Sequence, residues 1–356
     1  MTGLDDELTS ALTRTLRHHA EDAPAVNGLP EKAIAIAGRR RRRRINASIA
    51  AIVALAVGIP VAIVATVHGT SPTADDPNPG WRWESYRGVQ VQVPPDWGEG
   101  APRSDWCAAT PDGQARRATP PGAVGRPRMI LAIGCPSEYP PADQRTSSLY
   151  FDTRNKAGVR GFDHGWVEET RRVDDVFITV FSPDGALRAA IFGSARPIVG
   201  LDRYGCPTDH PVAADPDGYR PDPAVGGLPP ADTVMAISVC RYTLKSDPAP
   251  PLLSSGRITG RSAQGAVAAI RSAPKGRGPD VDNGRPEARG SEIVVLRIDT
   301  TDVTREVVVH YSGELGNGFD DGKTTRELTA DALRSLLTGA NRPQAFYLPV
   351  AGLMPR

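Results

Sequence analysis

Six consecutive arginines followed at once by a long uncharged stretch constrain this chain more than any other feature. The stretch covers residues 45–67, which are 23 residues without Asp, Glu, Lys or Arg. A helix rises about 1.5 Å per residue, so this one is long enough to cross a hydrocarbon core of about 30 Å, where a helix satisfies its own backbone polar groups. We therefore expect a single transmembrane helix at residues 45–67 that places the protein in the plasma membrane.

The arginines also predict the orientation of that helix. Positive charges stay on the cytoplasmic side of a membrane, which puts the N-terminus inside and the region after residue 67 outside the cytoplasm. Residues 1–44 carry nine basic and six acidic side chains, whereas residues 68–356 carry 33 and 35. A buried helix in a soluble core and a cleaved signal peptide are the alternatives, although 44 residues before the apolar stretch are many for a signal peptide. Because the arginine run lies next to a predicted membrane span, we expect it to anchor the helix and expect no nucleic-acid partner. The residues that set the topology are Arg39, Arg40, Arg41, Arg42, Arg43 and Arg44.

The cytoplasmic tail, residues 1–44, contains one amphipathic helical pattern. Its leucines recur every four residues, with acids early and bases late in the segment, which suits the helix dipole. An isolated helix of this length is marginal in water, so its leucine stripe favours the inner leaflet or a cytoplasmic regulatory protein as partner, and a partly ordered tail is the alternative. The candidate partner face is Leu4, Leu8, Leu12 and Leu16.

Cysteines beyond the predicted span indicate a disulfide-stapled region. All four, Cys107, Cys135, Cys206 and Cys240, lie after residue 67, and an even number on the oxidising side of a membrane is typical of disulfides. Of three pairings we favour the sequential one, Cys107 with Cys135 and Cys206 with Cys240, because the two loops would have similar length. Before them, residues 68–80 are rich in proline and lack large apolar side chains after residue 70, which predicts an extended tether.

The outer region reads as a mixed α+β fold. With 34 Pro and 36 Gly, the chain favours short elements joined by turns. Strand, turn, strand and helix patterns occur twice, at residues 166–192 and again at residues 292–338, where Thr329 is the expected N-cap and Gly339 the stop. A further helix is expected at residues 262–272. We expect two related modules, residues 81–204 and 205–345, followed by a C-terminal tail at residues 346–356, and one continuous domain is the alternative.

Tryptophans cluster at the start of the first predicted module. Trp81, Trp83, Trp97 and Trp106 flank an alternating segment at residues 89–93 that predicts a half-buried strand. We expect the indoles to pack as core, since aromatic residues are scarce elsewhere. The alternative is an exposed set that stacks on the sugar rings of a cell-wall polymer.

No motif for catalysis, cofactor binding or metal binding is present, so we expect no enzyme activity, no cofactor and no metal site. The pairs Asp163-His164 and Asp209-His210 are typical of solvated loops. The acidic, glycine-rich segment at residues 316–322 has oxygen ligands that could suit calcium, but a hairpin or surface loop fits its spacing better.

Several segments together resemble single-pass membrane proteins of high-GC actinobacteria. They are residues 4–8 (Leu-Asp-Asp-Glu-Leu), the arginine run, the alanine-rich span, residues 81–86 (Trp-Arg-Trp-Glu-Ser-Tyr) and residues 91–98 (Val-Gln-Val-Pro-Pro-Asp-Trp-Gly). The layout is also similar to membrane-anchored partners of extracytoplasmic-function sigma factors. That resemblance implies an inner segment that holds a transcription factor and an outer domain that senses the envelope, although this tail lacks the His-x-x-x-Cys-x-x-Cys of zinc-bearing anti-sigma factors.

Three hypotheses follow from the sequence. An extracytoplasmic binding or sensory region that contacts an envelope ligand is the first. A transmembrane, anti-sigma-like regulator acting through residues 1–44 is the second. A cell-envelope enzyme is the third.

Overall fold

The computed structural model describes residues 76–100, 121–127, 139–244, 249–281, 290–343 and 348–354. These residues belong to one compact unit that begins at Thr73. The predicted tail, membrane span, arginine run and leucine face, together with Cys107, Cys135 and Trp106, lie outside the described residues. Within the described residues, no helix combines the length and the apolar character that a bilayer span requires.

The fold class is mixed α+β, as predicted, with strands dominating. In chain order the strands of the described residues are β1 Arg82–Tyr86, β2 Val89–Val93, β3 Gly98–Glu99, β4 Gly122–Gly125, β5 Ser147–Asp152, β6 Gly158–Gly161, β7 Val167–Val173, β8 Val176–Ser182, β9 Arg196–Pro197, β10 Val234–Thr243, β11 Leu252–Thr259, β12 Glu292–Thr300, β13 Thr304–His310, β14 Gly318–Asp320 and β15 Thr325–Arg326. The helices are α1 Gly185–Ser194, α2 Pro211–Ala214, α3 Gly260–Ser272, α4 Ala330–Leu333 and α5 Leu348–Ala351.

These strands form three sheets. The N-terminal sheet has the order β3-β4-β5-β8-β7-β6, and the C-terminal sheet has the order β11-β10-β12-β13-β14-β15. A small sheet with the order β1-β2-β9 is the third. Only the pairs β3/β4 and β4/β5 of the described strands are parallel. Each predicted half therefore contributes a six-stranded sheet, while the boundary between two modules stays a prediction.

Local patterns predicted the hairpins of both large sheets correctly. In the N-terminal sheet, Val173 pairs with Val176 across the turn of β7 and β8, and α1 follows with Asp184 as its N-cap. In the C-terminal sheet, β12 and β13 pair in antiparallel register around the predicted turn. The spacing of apolar residues predicts these strands correctly because each strand pairs with the next one along the chain.

The predicted helices differ from the observed ones at their ends. Helix α3 begins two residues before the predicted Ser262, and its buried face is Ala263, Ala266, Val267 and Ile270, the spacing of one helical stripe. The helix predicted at residues 329–338 is correct at its start, where the Thr329 hydroxyl accepts the Ala332 N–H, but it ends at Leu333. Beyond it the chain continues in turns that bury Leu336 and Leu337 in the core instead of stopping at Gly339.

Strand β2 is buried on both faces, so the prediction of a half-buried strand was wrong. Its valines pack in the N-terminal core. Its glutamines face polar loops: Gln90 Oε1 accepts the Arg203 N–H at 3.0 Å, and Gln92 contacts the chain before β1. A polar residue in an alternating pattern therefore does not mark a solvent face where a loop supplies its hydrogen bonds.

The end of the predicted tether is docked and not free. Asp76 Oδ1 accepts hydrogen bonds from the Trp83 indole N–H at 3.1 Å and from the Gln92 amide at 3.3 Å. The backbone N–H of Asn78 donates to Gln92 Oε1 at 3.0 Å. Polar side chains hold this segment, which is why a search for large apolar residues missed it. The predicted C-terminal tail is likewise packed at Val350, which is buried in the C-terminal core.

The predicted disulfide between Cys206 and Cys240 is present and joins the loop before α2 to the middle of β10. Both cysteines are fully buried, against apolar residues of β12 and β13. The bond closes a sequence separation of 34 residues. A loop of that length corresponds to about 4 kcal/mol on a chain-entropy model.

One buried carboxylate, that of Asp202, links three separate elements. Its Oδ2 accepts hydrogen bonds from the hydroxyls of Ser85 in β1, at 2.7 Å, and Ser255 in β11. Its Oδ1 accepts the backbone N–H groups of Tyr204 at 3.0 Å and Cys206 at 2.8 Å. Asp202 therefore ties the small sheet to the C-terminal sheet at the disulfide loop.

Replacing Asp202 should cost the fold a large part of its stability. In wild type four donors face the Asp202 carboxylate. In Asp202→Asn they face a neutral amide, whose N–H₂ group cannot accept their hydrogen bonds. We therefore expect the free energy of unfolding to fall by about 1–3 kcal/mol. Urea unfolding followed by tryptophan fluorescence measures it, since all five tryptophans lie at or after Trp81. The exposed Asp302→Asn is the matched control and should change stability by less than about 0.5 kcal/mol. Equal effects of the two variants would contradict the structural role of Asp202.

Candidate functional site

A cavity of about 360 Å³ lies where the small sheet, the N-terminal sheet and the C-terminal sheet meet. This volume is in the range of about 300–1,000 Å³ that is typical of small-molecule sites. Strands β1 and β3 form one side, β10 and β11 another, and the turns at residues 335–341 a third. Its lining comprises Arg82, Trp83, Glu84, Trp97, Gly98, Glu99, Tyr204, Val239, Ser255, Gly256, Arg257, Ile258, Ser335, Leu336, Thr338, Gly339, Ala340 and Asn341.

Two arginines and two glutamates form a closed ring of ion pairs at the β1–β3 side, which we call the charge ring (Arg82, Glu84, Glu99 and Arg126). Arg126 contacts Glu84 at 2.5 Å and Glu99 at 3.1 Å. Arg82 contacts the same two carboxylates, at 2.7 Å and 3.4 Å. Every carboxylate oxygen of the ring therefore has a guanidinium partner.

Burial divides the charge ring into an inner and an outer half. The side chains of Glu84 and Arg126 are only 3% and 2% exposed, whereas those of Arg82 and Glu99 are 24% and 27% exposed. Arg126 also donates to the Ser85 carbonyl at 3.2 Å, and Arg82 donates to the Trp97 carbonyl. The inner pair is a fixed support, so Arg82 and Glu99 are the members that a ligand can reach.

The environment of Glu99 shifts its titration into the neutral range. The pKa of Glu99 is raised from 4.5 to about 7: burial is the largest cause and the neighbouring Glu84 carboxylate adds to it, while Arg126 and Arg82 oppose both effects. Glu99 can therefore exchange a proton near neutral pH. A titratable group of this kind in a cavity is typical of functional sites.

Aromatic residues form another part of the wall. Trp83 and Trp97 are 3% and 5% exposed, so the prediction that these indoles are packed as core is confirmed, yet both also line the cavity. Trp97 lies directly against Gly122, where a Cβ atom would come within 2.4 Å of the indole ring. The Tyr204 hydroxyl accepts the Trp83 backbone N–H at 3.2 Å, which places a third ring at the same wall.

On the side of the cavity formed by β10, β11 and residues 335–341, polar side chains are also paired within the protein. Arg257 donates to Ser238 at 2.9 Å and to Asp299 at 2.7 Å. Asn341 is buried, accepts the Ser254 hydroxyl at 2.9 Å and donates to the Val239 carbonyl at 3.3 Å. The wall is thus preorganised, with its charges balanced by partners of the same protein.

The histidine pairs have different outcomes. His164 is exposed beside Asp163, as expected for a solvated loop. His210 is buried, so that expectation was wrong for the second pair. Its Nδ1 accepts the Val212 N–H at 3.2 Å as the cap of α2, and its Nε2 lies 3.5 Å from Glu306. The sequence gives no sign of Glu306, which lies 96 positions away on β13.

The glycine-rich segment at residues 316–322 forms a hairpin strand, as the sequence favoured. Its strand β14 pairs with β15, and Asp320 makes a bidentate pair with Arg220 at 2.8 and 2.9 Å. In the described part of the chain, no group of three or more His, Cys, Asp or Glu side chains is arranged to hold a metal ion. A second cavity of about 250 Å³ is lined by this pair and by Tyr219.

Sequence reasoning missed the site itself. Arg82 and Glu84 lie on either side of Trp83 in β1, a weak signal of a charged strand face. Glu99 and Arg126 belong to the same ring but lie 17 and 44 residues after Arg82, and Tyr204 is more distant still. No local spacing connects such residues, because only the fold brings them together.

No protein-family model, no curated protein and no solved structure matches this chain. The site therefore has to be interpreted from its own geometry.

The raised pKa of Glu99 predicts a specific pH dependence of stability. Above pH 4.5 the unfolded chain loses the Glu99 proton, whereas the folded protein retains it. The stabilisation that comes from the raised pKa is therefore complete below pH 4.5 and is lost as the pH rises towards about 7. Across that window the free energy of unfolding of wild type should fall by about 1–3 kcal/mol relative to Glu99→Gln, a range reduced for partial exposure. Urea unfolding at a series of pH values measures the difference.

The exposed Asp232→Asn removes a carboxylate outside the charge ring and is the control, so the effect of Glu99 is the excess of the Glu99→Gln change over the Asp232→Asn change. If Glu99→Gln also remained parallel to wild type between pH 4.5 and 7, the altered titration of Glu99 would be wrong.

Proposed function

We propose that this chain is a single-pass membrane protein whose extracytoplasmic region binds a small molecule in the cavity beside Glu99, as an envelope binding or sensory protein. The cavity carries the proposal. It combines a suitable volume, three aromatic rings and an outer pair of charged side chains on a fixed inner pair. The predicted anchor at residues 45–67 supplies the membrane part of the proposal.

The disulfide supports an extracytoplasmic location. Cys206 and Cys240 are bonded within a fully buried cluster, and such structural disulfides persist in oxidising compartments. The arginine run before the predicted span supports the same orientation.

Contacts at the start of the described unit support a sensory role. Trp83 lines the cavity, and its indole N–H donates to Asp76, which lies nine residues after the predicted span. A ligand that moves Trp83 would therefore act on the segment that leads to the membrane. This connection also favours the transmembrane-regulator hypothesis, in which residues 1–44 contact a cytoplasmic partner.

An envelope enzyme is the second candidate, and one observation favours it. The pKa of Glu99, at about 7, suits a general acid or base, and Glu84 lies in the same cavity. We rank it behind binding because Glu84 is almost fully buried and both carboxylates are occupied by guanidinium groups. Product formation from a bound ligand would reverse this order.

Protease added to intact cells tests the location. With a C-terminal tag on the full chain, we expect external protease to remove the tag and degrade the region after residue 75, because that region lies outside the membrane. Immunoblotting of the tag and of a cytoplasmic marker measures it, and the marker should remain intact. A tag that survives while a known surface protein is cleaved would contradict the proposed orientation.

Ligand-dependent stabilisation tests the cavity. A leucine at Gly98 should fill part of it, since Gly98 lines the cavity and only the Gly122 carbonyl lies near its Cβ position, at 3.8 Å. The ultrafiltered small-molecule fraction of a bacterial envelope digest should raise the Tm of the full chain by about 2–4 °C per kcal/mol of binding free energy. Gly98→Leu should abolish this rise.

The matched control is Gly158→Leu, which changes an exposed edge-strand glycine with no atom within 4 Å of its Cβ position and outside the cavity lining. It should keep the wild-type response. The binding proposal fails if the digest stabilises both variants equally or stabilises none of the proteins.

A further inference from the structure

We propose that the loop between β9 and Cys206 rests on the outer leaflet of the membrane through an apolar tip (Val199, Gly200 and Leu201). This inference rests on the proposed function, because the predicted span has to hold the chain at a bilayer. It assigns a partner, a lipid surface, to residues that lie outside the cavity lining.

The apolar tip exposes two large hydrophobic side chains side by side. Val199 is 91% exposed, the highest value among the large apolar side chains of the described residues, and Leu201 is 48% exposed. The other large apolar side chains that are exposed in this part of the chain lie singly along the sequence. Single exposed apolar residues need no explanation, whereas a pair at one loop tip indicates a contact surface.

Hydrogen bonds on both sides hold the apolar tip in one conformation. Before it, the Ile198 N–H donates to the Gly88 carbonyl at 2.7 Å, and after it, the Asp202 N–H donates to the Cys206 carbonyl at 2.9 Å. At its centre Gly200 has a φ of 75°, the left-handed conformation that favours glycine. The tip is therefore presented in advance, and a partner loses little binding free energy in ordering it.

The exposed part of the loop carries no charge that a lipid surface would have to desolvate. Residues 197–201 read Pro-Ile-Val-Gly-Leu, and the Asp202 side chain that follows is buried. The flanking arginines are occupied: the Arg196 guanidinium lies 4.4 Å from the Trp83 ring centroid, and that of Arg203 lies 3.5 Å from Asp76. Shallow insertion therefore removes water from apolar groups and leaves the backbone polar groups at the hydrated head-group level.

The contact between Arg203 and Asp76 joins this loop to the segment that leads to the membrane. Arg203 lies two positions after the apolar tip, and Asp76 lies nine positions after the end of the predicted span. Nine residues reach at most about 30 Å, so Asp76 has to stay within that distance of the bilayer. The apolar tip is therefore within reach of the lipid surface.

A lipid surface suits the apolar tip better than a protein does. A stable protein–protein interface buries about 800 Å² on each partner, which two side chains cannot supply. A chain that is already anchored needs much less, because its contact with the bilayer is intramolecular and profits from a high effective concentration. A second copy of this chain would face the same shortage of area as any other protein.

Brominated lipids test the contact. The full chain is reconstituted in nanodiscs of phosphatidylcholine, with or without bromine on the acyl chains just below the head groups. Bromine quenches tryptophan at short range, so it reports indoles that reach the acyl boundary. In Val199→Trp, the fluorescence added to that of the five native tryptophans should fall by about half or more in the brominated bilayer.

The matched control is Val159→Trp, which changes a valine of the edge strand β6 that is 72% exposed. Tryptophan itself favours the membrane interface, and this control carries the same preference at another exposed position. Its added fluorescence should fall by less than about a tenth in the brominated bilayer.

A second set of variants tests the native valine. Leu201→Trp should be quenched like Val199→Trp. Adding Val199→Asp to Leu201→Trp should remove this quenching, because a carboxylate opposes entry into the acyl boundary. Urea unfolding of each variant identifies any that fails to fold, and the other reporter then decides.

The outcomes separate the tip contact from the proposed function. Equal quenching at positions 159 and 199, no quenching at either, or quenching at position 201 that Val199→Asp does not reduce would overturn the inference. Co-elution of the wild-type chain with the nanodisc in size-exclusion chromatography tests the anchor by itself. A chain that co-elutes while its tip stays unquenched leaves the proposed anchor intact, so the tip contact alone is wrong. A wild-type chain recovered free of the bilayer would refute the anchor and the inference together.

Discussion

The carboxylate of Asp202 is the interaction on which the arrangement of the sheets depends. It joins a serine of β1, a serine of β11 and two backbone N–H groups of the disulfide loop. Because β1 and β11 both line the cavity, this one group links two parts of its wall. A carboxylate can do this where an apolar contact cannot, since it has lone pairs for four donors that approach from different elements. The same hydrogen bonds position Tyr204, whose ring lies in the cavity wall.

The charge ring is held together by paired charges, whereas the core around it is held together by apolar contacts. Two guanidinium groups alternate with two carboxylates, so each buried charge has two partners of opposite sign. A lone buried ion pair contributes little net stability, but removing one partner from such a pair is strongly destabilising. The ring therefore tolerates little substitution at Glu84 and Arg126, which are buried. Its outer members keep contact with solvent and carry whatever adaptability the site has.

How much could be predicted depended on the distance between interacting residues along the chain. Hairpins such as β7–β8 and the cap at Thr329 were predictable because their partners lie within a few residues. The pairing of Cys206 with Cys240 followed from the count and spacing of cysteines. The burial of Gln92 and His210 was not predictable. Gln92 bonds to Asn78 in the segment before β1, and His210 lies beside Glu306 of β13, and hydrophobic periodicity places neither contact. The cavity was the least predictable feature, because its wall combines residues from position 82 to position 341.

The docked segment at Asp76 and Asn78 has a mechanical consequence. Tension applied to the backbone before residue 76 would first load the hydrogen bonds that Asp76 and Asn78 share with Gln92 and Trp83. Gln92 belongs to β2 and is fully buried, so it resists displacement as part of a rigid sheet. Trp83 faces the cavity, so the indole is where a pulling force and an occupied pocket compete directly. In a protein held at a surface, tension on the chain would alter the affinity of the pocket, and a ligand in the pocket would alter the force needed to break these hydrogen bonds.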